Sequence, residues 1–208
     1  TRRSCLTIDE LFSPCSLSES SARYRKHAKT LGTALLDATL RDAGIRPSDV
    51  DVLITTSCTG FMIPSVDAYM AAELGFRPDL LRLPVTEMGC AAGAAALMYA
   101  AEILRGRSEG LAAIVNIELP TNTLQLNDFS MDNIVSSMLF SDGLACTILR
   151  KGARPGRASV ESWTTLQVPD SLNLLGYNLT STGFLMTLHP TLPDVIGRAD
   201  GINNWPEA

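Results

Sequence analysis

The chain has little of what a metal site, a disulfide scaffold, a nucleic-acid binder or a membrane span requires. His27 and His189 are its two histidines in 208 residues, so a His-rich metal site is not expected. The five cysteines, Cys5, Cys15, Cys58, Cys90 and Cys146, are odd in number, widely spaced and without a Cys-x-x-Cys pair. That pattern reads as reduced thiols in a cytoplasmic protein rather than as a disulfide framework or a zinc site. A formal charge of −5, with no Lys/Arg stripe interleaved with aromatics, argues against nucleic acid as a partner. No apolar run reaches the roughly 18 residues of a membrane span, and the start carries no signal-peptide pattern.

What is present is a globular composition. Apolar residues make up 46% and charged residues 19%, which excludes disorder and supplies enough material for a real core. One domain over residues 1–208 is expected. The Gly/Pro/Arg-rich stretch Lys151 to Gly156 reads as a turn, and there is no short-period repeat or low-complexity tract.

Ser16-x-x-Glu19 and Ser18-x-x-Ser21 offer N-cap chemistry for a first long helix. Its apolar face is expected at Leu31, Ala34, Leu35 and Ala38, and Gly44-Ile45-Arg46-Pro47 supplies the stop. Asp51 to Thr56 reads as a buried strand. A helix follows from Ser65 to Leu74, ended by Gly75, and a second strand from Leu81 to Thr86. After Gly89-Cys90 an alanine-rich, buried helix runs to about Arg105, then a third buried strand spans Ala112 to Ile117. Ala145 to Arg150, Ala158 to Leu166 and Gly183 to Leu188 are expected as later strands. Strands alternating with helices of this length predict a layered α/β protein.

Cys90 sits in Glu87-Met88-Gly89-Cys90-Ala91-Ala92-Gly93, between a strand and a helix of small residues. The positive end of a helix dipole favours thiolate over thiol, and free backbone N–H groups there can stabilise developing charge. Cys90 is thus the candidate nucleophile, with a small, inert core cysteine as the alternative. Cys58 is a rival nucleophile, but Ser57 and Thr59 beside it give no obvious base.

Four segments in order resemble the type III polyketide synthases, the chalcone synthase family. Thr55 to Ser65 (TTSCTGFMIPS) resembles a segment that ends a strand and lines the family's active site. Met88 to Gly93 resembles its catalytic-cysteine segment, Glu118 to Thr123 the next cavity-lining stretch, and Leu139-Phe140-Ser141-Asp142-Gly143 its Leu-Phe-Gly-Asp-Gly motif. The resemblance covers most of the chain, least at its first and last fifteen residues. It implies a thiolase-like fold, an αβαβα layered sandwich of two related halves, of which this chain is mostly the N-terminal half. It also implies a homodimer. The chemistry implied is acyl transfer from a CoA thioester to Cys90, followed by decarboxylative condensation with malonyl-CoA. Acyl-CoA and malonyl-CoA are then the small-molecule partners, as substrates, with no further cofactor.

By the same resemblance Phe140 matches the family's gating phenylalanine, Met186 a second gate position and Thr123 a cavity threonine. Cys58 and Thr59 fall at small polar cavity positions. Ile63 falls where a methionine reaches into the neighbouring subunit's cavity. Tyr177 stands where plant members have glycine, so that Cys58 with Tyr177 is most similar to bacterial members that build tetrahydroxynaphthalene from malonyl units alone. Each position has a plainer reading: Phe140, Met186 and Ile63 as packing residues, Thr123 as a loop residue bonding its own backbone.

The family also uses a histidine in a His-Pro-Gly-Gly setting and an asparagine, which together stabilise the enolate. His27 lies among Arg25, Lys26 and Lys29 and reads as a solvated helix residue. His189-Pro190 is followed by Thr191-Leu192 rather than two glycines and is rejected as the base. Asn203 and Asn204 have no matching context. Family-typical CoA-binding Arg/Lys residues also lack counterparts, the chain opening at Thr1-Arg2-Arg3. The expectation is a partial or degenerate synthase, inactive alone in condensation although Cys90 can still be acylated. Two other functions compete: an acyl carrier protein-dependent ketosynthase of the same fold, and a non-catalytic half-fold acting as an interaction subunit.

Overall fold

A computed structural model describes residues 4–152 and 156–200. Half of the Lys151–Gly156 turn, together with Asn203 and Asn204, lies outside the described residues. The element order is α1 (Ile8–Leu11), α2 (Leu17–Asp42), β1 (Val52–Thr56), α3 (Val66–Leu74), β2 (Leu81–Val85), α4 (Ala92–Arg105), β3 (Leu111–Glu118), α5 (Met131–Leu139), β4 (Gly143–Arg150), β5 (Leu175–Thr180), β6 (Gly183–Leu188) and α6 (Leu192–Asp200).

The first long helix starts at the expected capping box. The Ser16 hydroxyl accepts the Glu19 N–H at 3.3 Å, and the Glu19 carboxylate accepts the Ser16 N–H at 2.7 Å. Gly44 ends the helix at φ +65°, with the Ile45 N–H closing on the Leu40 carbonyl at 2.9 Å. The buried face differs from the expected one. It runs through Ser20, Tyr24, Ala28, Gly32, Thr33, Leu36 and Leu40, whereas Leu31 and Ala34 are exposed. Polar and glycine positions concealed this stripe from apolar periodicity. Gly32 is on it because a side chain there would run into Met70 and Ile117.

Four strands form one sheet in the order β2-β1-β3-β4, with β1 parallel to both β2 and β3 and β4 antiparallel to β3. β1 is buried at every residue, as a parallel strand covered on both faces should be. Leu53 faces α2 and α3 with Leu36, Leu40, Met70, Val115 and Ile117. Val52 and Ile54 face α4 with Ala96, Ala100, Leu104 and Ile114. The result is three layers, helix on sheet on helix. α4 buries one face, Ala92, Ala95, Ala96, Ala100 and Leu104, and turns Ala94 and Glu102 outward.

A second sheet, the β5–β6 hairpin, follows. The strand expected at Ala158 to Leu166 is irregular chain, exposed except at Trp163, over whose ring the Arg105 guanidinium lies at 4.6 Å. Helix α5 and strand β5 stand where no element was expected. α5 turns Met131, Ile134, Met138 and Leu139 outward, and β5 (LGYNLT) carries glycine and asparagine, so neither shows the usual inward apolar pattern.

The register brings Thr56 beside Val85 on one side and Asn116 on the other. The carboxyl ends of the three parallel strands therefore open into neighbouring loops, where α/β sheets commonly hold their ligands. The opposite end of the sheet is tied by Asp51, which accepts the Leu111 N–H at 2.9 Å and pairs with Arg77 at 3.1 Å.

Candidate active site

The loop after β2 carries Cys90 in a short helical turn, Gly89–Ala91, directly ahead of α4. Gly89 makes that turn at φ +52°, a left-handed conformation that favours glycine. The Cys90 side chain is exposed. Gly93 is the second residue of α4, and a Cβ there would meet the Asn116 Oδ1 at 3.5 Å, the same oxygen that accepts the Thr56 hydroxyl at 2.8 Å. The small-residue start of α4 thus lets the Cys90 turn sit close to the ends of β1 and β3.

The loop after β1 carries Cys58 and Thr59. Glu118, the last residue of β3, accepts the Cys58 N–H at 3.1 Å, the Cys58 thiol at 3.4 Å and the Thr59 hydroxyl at 3.0 Å. The Thr59 oxygen in turn accepts the Leu119 N–H at 2.8 Å, which stitches the two strand ends together. Burial, followed by the negative charge of Glu118, pushes the Cys58 thiol up to about 12. Burial also raises the Glu118 carboxyl above its ordinary 4.5, against the opposing hydrogen bonds from Cys58 and Thr59. Thr59 is buried with its hydroxyl fully engaged. Tyr24 of α2 closes the back of this loop. Its ring occupies the space a Gly60 side chain would need, and burial pushes its phenol up to about 12.

Sequence reasoning placed Glu118 at the edge of a cavity-lining stretch but gave it no role. The available signal was an acidic residue ending a strand, Leu111–Ile117, that is otherwise almost wholly apolar.

Thr123, Phe140, Tyr177 and Met186 come together, from four separate elements, around one cleft of about 280 Å³. Thr123 donates to the Pro120 carbonyl at 2.9 Å, as a loop threonine does, and stands beside the Tyr177 hydroxyl. The Tyr177 ring meets Phe184 edge-on at 5.7 Å. Burial raises the Tyr177 phenol, and the charges of Cys58, Glu118 and Cys90 add to the rise. Cys58 and Cys90 do not themselves line the cleft.

Ile63 is 81% exposed beside Phe61 at 59%, while Met62 between them is buried. His27 is half-buried on α2. His189 is exposed ahead of α6, its Nδ1 accepting the Thr191 N–H at 3.3 Å, a local turn contact. Neither histidine lines the cleft. No helix among the described residues is long and apolar enough to cross a membrane.

Three comparisons bear on this arrangement. Residues 9–167 match the family model described as FAE1/Type III polyketide synthase-like protein. Among curated proteins, 1,3,6,8-tetrahydroxynaphthalene synthase of Streptomyces peucetius subsp. caesius is 32% identical over 202 residues, covering 94% of this chain and 53% of that protein. Phloroglucinol synthase of Pseudomonas fluorescens is 30% identical over 187 residues, covering 90% and 54%. Among solved structures, 1,3,6,8-tetrahydroxynaphthalene synthase from Streptomyces coelicolor A3(2) superposes with a TM-score of 0.89 at 27% identity, covering 98% of this chain and 60% of that one. The chain spans about half the length of the curated relatives it matches.

Proposed function

Because this chain belongs to the FAE1/type III polyketide synthase-like family, with a thiolase-like layered α/β fold, we propose that it is the cysteine-bearing half of an acyltransferase of polyketide biosynthesis. In this reading Cys90 takes an acyl group from a CoA thioester, and malonyl-CoA extends it. One observation carries the reading: an exposed thiol stands at the strand-to-helix turn while its nearest rival, Cys58, is held as a thiol by burial and Glu118. The step is nucleophilic. The Cys90 sulfur attacks the thioester carbonyl, CoA leaves as its thiol, and the acyl group stays on the protein.

The cleft supports the second part of the proposal. Phe140, Met186 and Tyr177 line it; in this reading the first two act as its gates and Tyr177 takes up part of its space. Bulk at Tyr177 favours a small starter, so malonyl units alone are the proposed building blocks. The proposed assembly is a homodimer, in which a partner copy covers the exposed Phe61 and Ile63. The proposed location is the cytoplasm, consistent with five free thiols. For this chain by itself the expected activity is acylation without condensation, since neither His27 nor His189 lines the cleft.

The test supplies malonyl-CoA, with and without a hexanoyl-CoA starter, to the complete polypeptide that carries this chain. Aromatic product from malonyl-CoA alone, lost on Cys90→Ala, is the expected result. A strict need for the longer starter overturns the Tyr177 part of the proposal, and product that survives Cys90→Ala overturns the whole of it.

A further inference from the structure

The cleft has a wall that belongs to neither sheet. Ser4 and Leu11, at the two ends of the segment that precedes α2, line it together with Thr121, Thr123 and Phe140. Among the described residues this segment pairs with no strand, and side-chain anchors hold it. One is Asp142, next but one to Phe140. Its Oδ2 accepts the Cys5 N–H at 2.6 Å and the Thr121 hydroxyl at 2.6 Å, and its Oδ1 accepts the Thr121 N–H at 3.0 Å. Ser4 adds a hydroxyl bond to Thr121 at 3.2 Å. The second anchor is Arg23 of α2, which donates to the Glu10 carbonyl at 3.0 Å. Asp142 therefore grips two things at once, the N-terminal segment and the turn that carries Thr123. Charge-assisted bonds of this length are the strong kind.

We propose that the Ser4–Leu11 segment, clasped to the Thr121 turn by Asp142, is the wall that limits how long an acyl or β-keto chain the cleft holds. Asp142 is the positioning residue for that wall and does not touch the reacting atoms. At about 280 Å³ the cleft lies just below the roughly 300–1,000 Å³ of ordinary ligand pockets, and the Ser4–Leu11 segment bounds one side of it. Leu11 is the apolar part of this wall, at the end of a helix of four residues held by its own capping box. The inference deepens the proposed function and rests on the cleft being the place where the chain grows.

The test reads wall position without relying on condensation. Thr123→Cys places a thiol in the cleft, and its rates of reaction with methyl and decyl methanethiosulfonate are followed by peptide mass mapping. Disulfide exchange releases methanesulfinate and leaves the alkylthio group on the introduced sulfur, so adduct mass reports the chain that entered. Adding Asp142→Asn sets an amide N–H against at least one of the three donors. Losing a bond to a charged group should raise the decyl-to-methyl rate ratio roughly tenfold. Leu11→Ala should raise the ratio as well while leaving the Asp142 bonds in place, and it answers the question if Asp142→Asn does not fold. An unchanged ratio in the folded variants overturns the wall, and so do methyl and decyl rates that rise together, the mark of general loosening. Failure of every CoA thioester to acylate Cys90 is a separate outcome. It overturns the condensation reading, while the thiol probes still decide the wall.

Discussion

Cys58 and Cys90 follow neighbouring parallel strands, β1 and β2, yet their loops are built on different principles. The β1 loop is closed. Glu118 and Thr59 consume its donors, Tyr24 packs against Gly60, and Cys58 is lifted to about 12. The β2 loop is open. Gly89 bends it through a left-handed conformation with nothing within 4 Å of a would-be Cβ, and Cys90 is left exposed ahead of α4. Two thiols from equivalent strand ends are thus given opposite tasks by what surrounds them. The first helps hold the strand ends together, and the second is left exposed, where the proposed function has it meet a substrate.

The contrast can be broken most sharply by alkylation. A thiol at about 12 rather than the ordinary 9.0 has roughly a thousandth of the thiolate at neutral pH. Iodoacetamide should modify Cys90 at least roughly a hundredfold faster than Cys58; equal rates at the two sites would erase the distinction. The next largest effect is steric. Gly60→Ala drives a Cβ into the buried Tyr24 ring and should cost about 2–3 kcal/mol as overpacking, read as a lowered thermal midpoint. A variant as stable as the parent would show that the closed loop has slack.

Glu118→Gln tests the electrostatic part of the contrast. Removing the charge should speed Cys58 alkylation roughly tenfold, leaving it still slower than Cys90 because burial is the larger cause. The same variant carries a pH signature. With its folded-state value raised above 4.5, Glu118 contributes stability that is full below that pH and is lost as pH rises through the raised value. The thermal midpoint of Glu118→Gln relative to the parent should therefore climb as pH rises above 4.5. The smallest effect belongs to the open loop. Gly89→Ala meets no atoms and should cost about 1 kcal/mol, from backbone conformation alone.

The alternation of strands and helices was legible in the sequence because β1 and β3 are buried on both faces and read as continuous apolar runs. Helix caps at Ser16, Gly44 and Gly75 were legible because each uses local chemistry. What escaped depends on tertiary context. The buried stripe of α2 includes Ser20, Gly32 and Thr33, and at Gly32 the choice is set by Met70 and Ile117 opposite. Helix α5 shows its methionines to the outside. Ala158 to Leu166 has strand composition but no paired neighbour among the described residues. At the site, Cys90 announced itself through Gly89 and the small residues that follow. The grip of Glu118 on Cys58 joins residues 60 apart in sequence and becomes visible only once β1 and β3 are placed side by side.

The most direct measurement is a peptide map after exposure of the chain to malonyl-CoA. Cleavage at Arg82 puts Cys58 and Cys90 on different tryptic peptides. A malonyl group on the peptide that follows Arg82, absent after Cys90→Ala, is the predicted result. Malonyl transfer to Cys58, or to no cysteine at all, would contradict it.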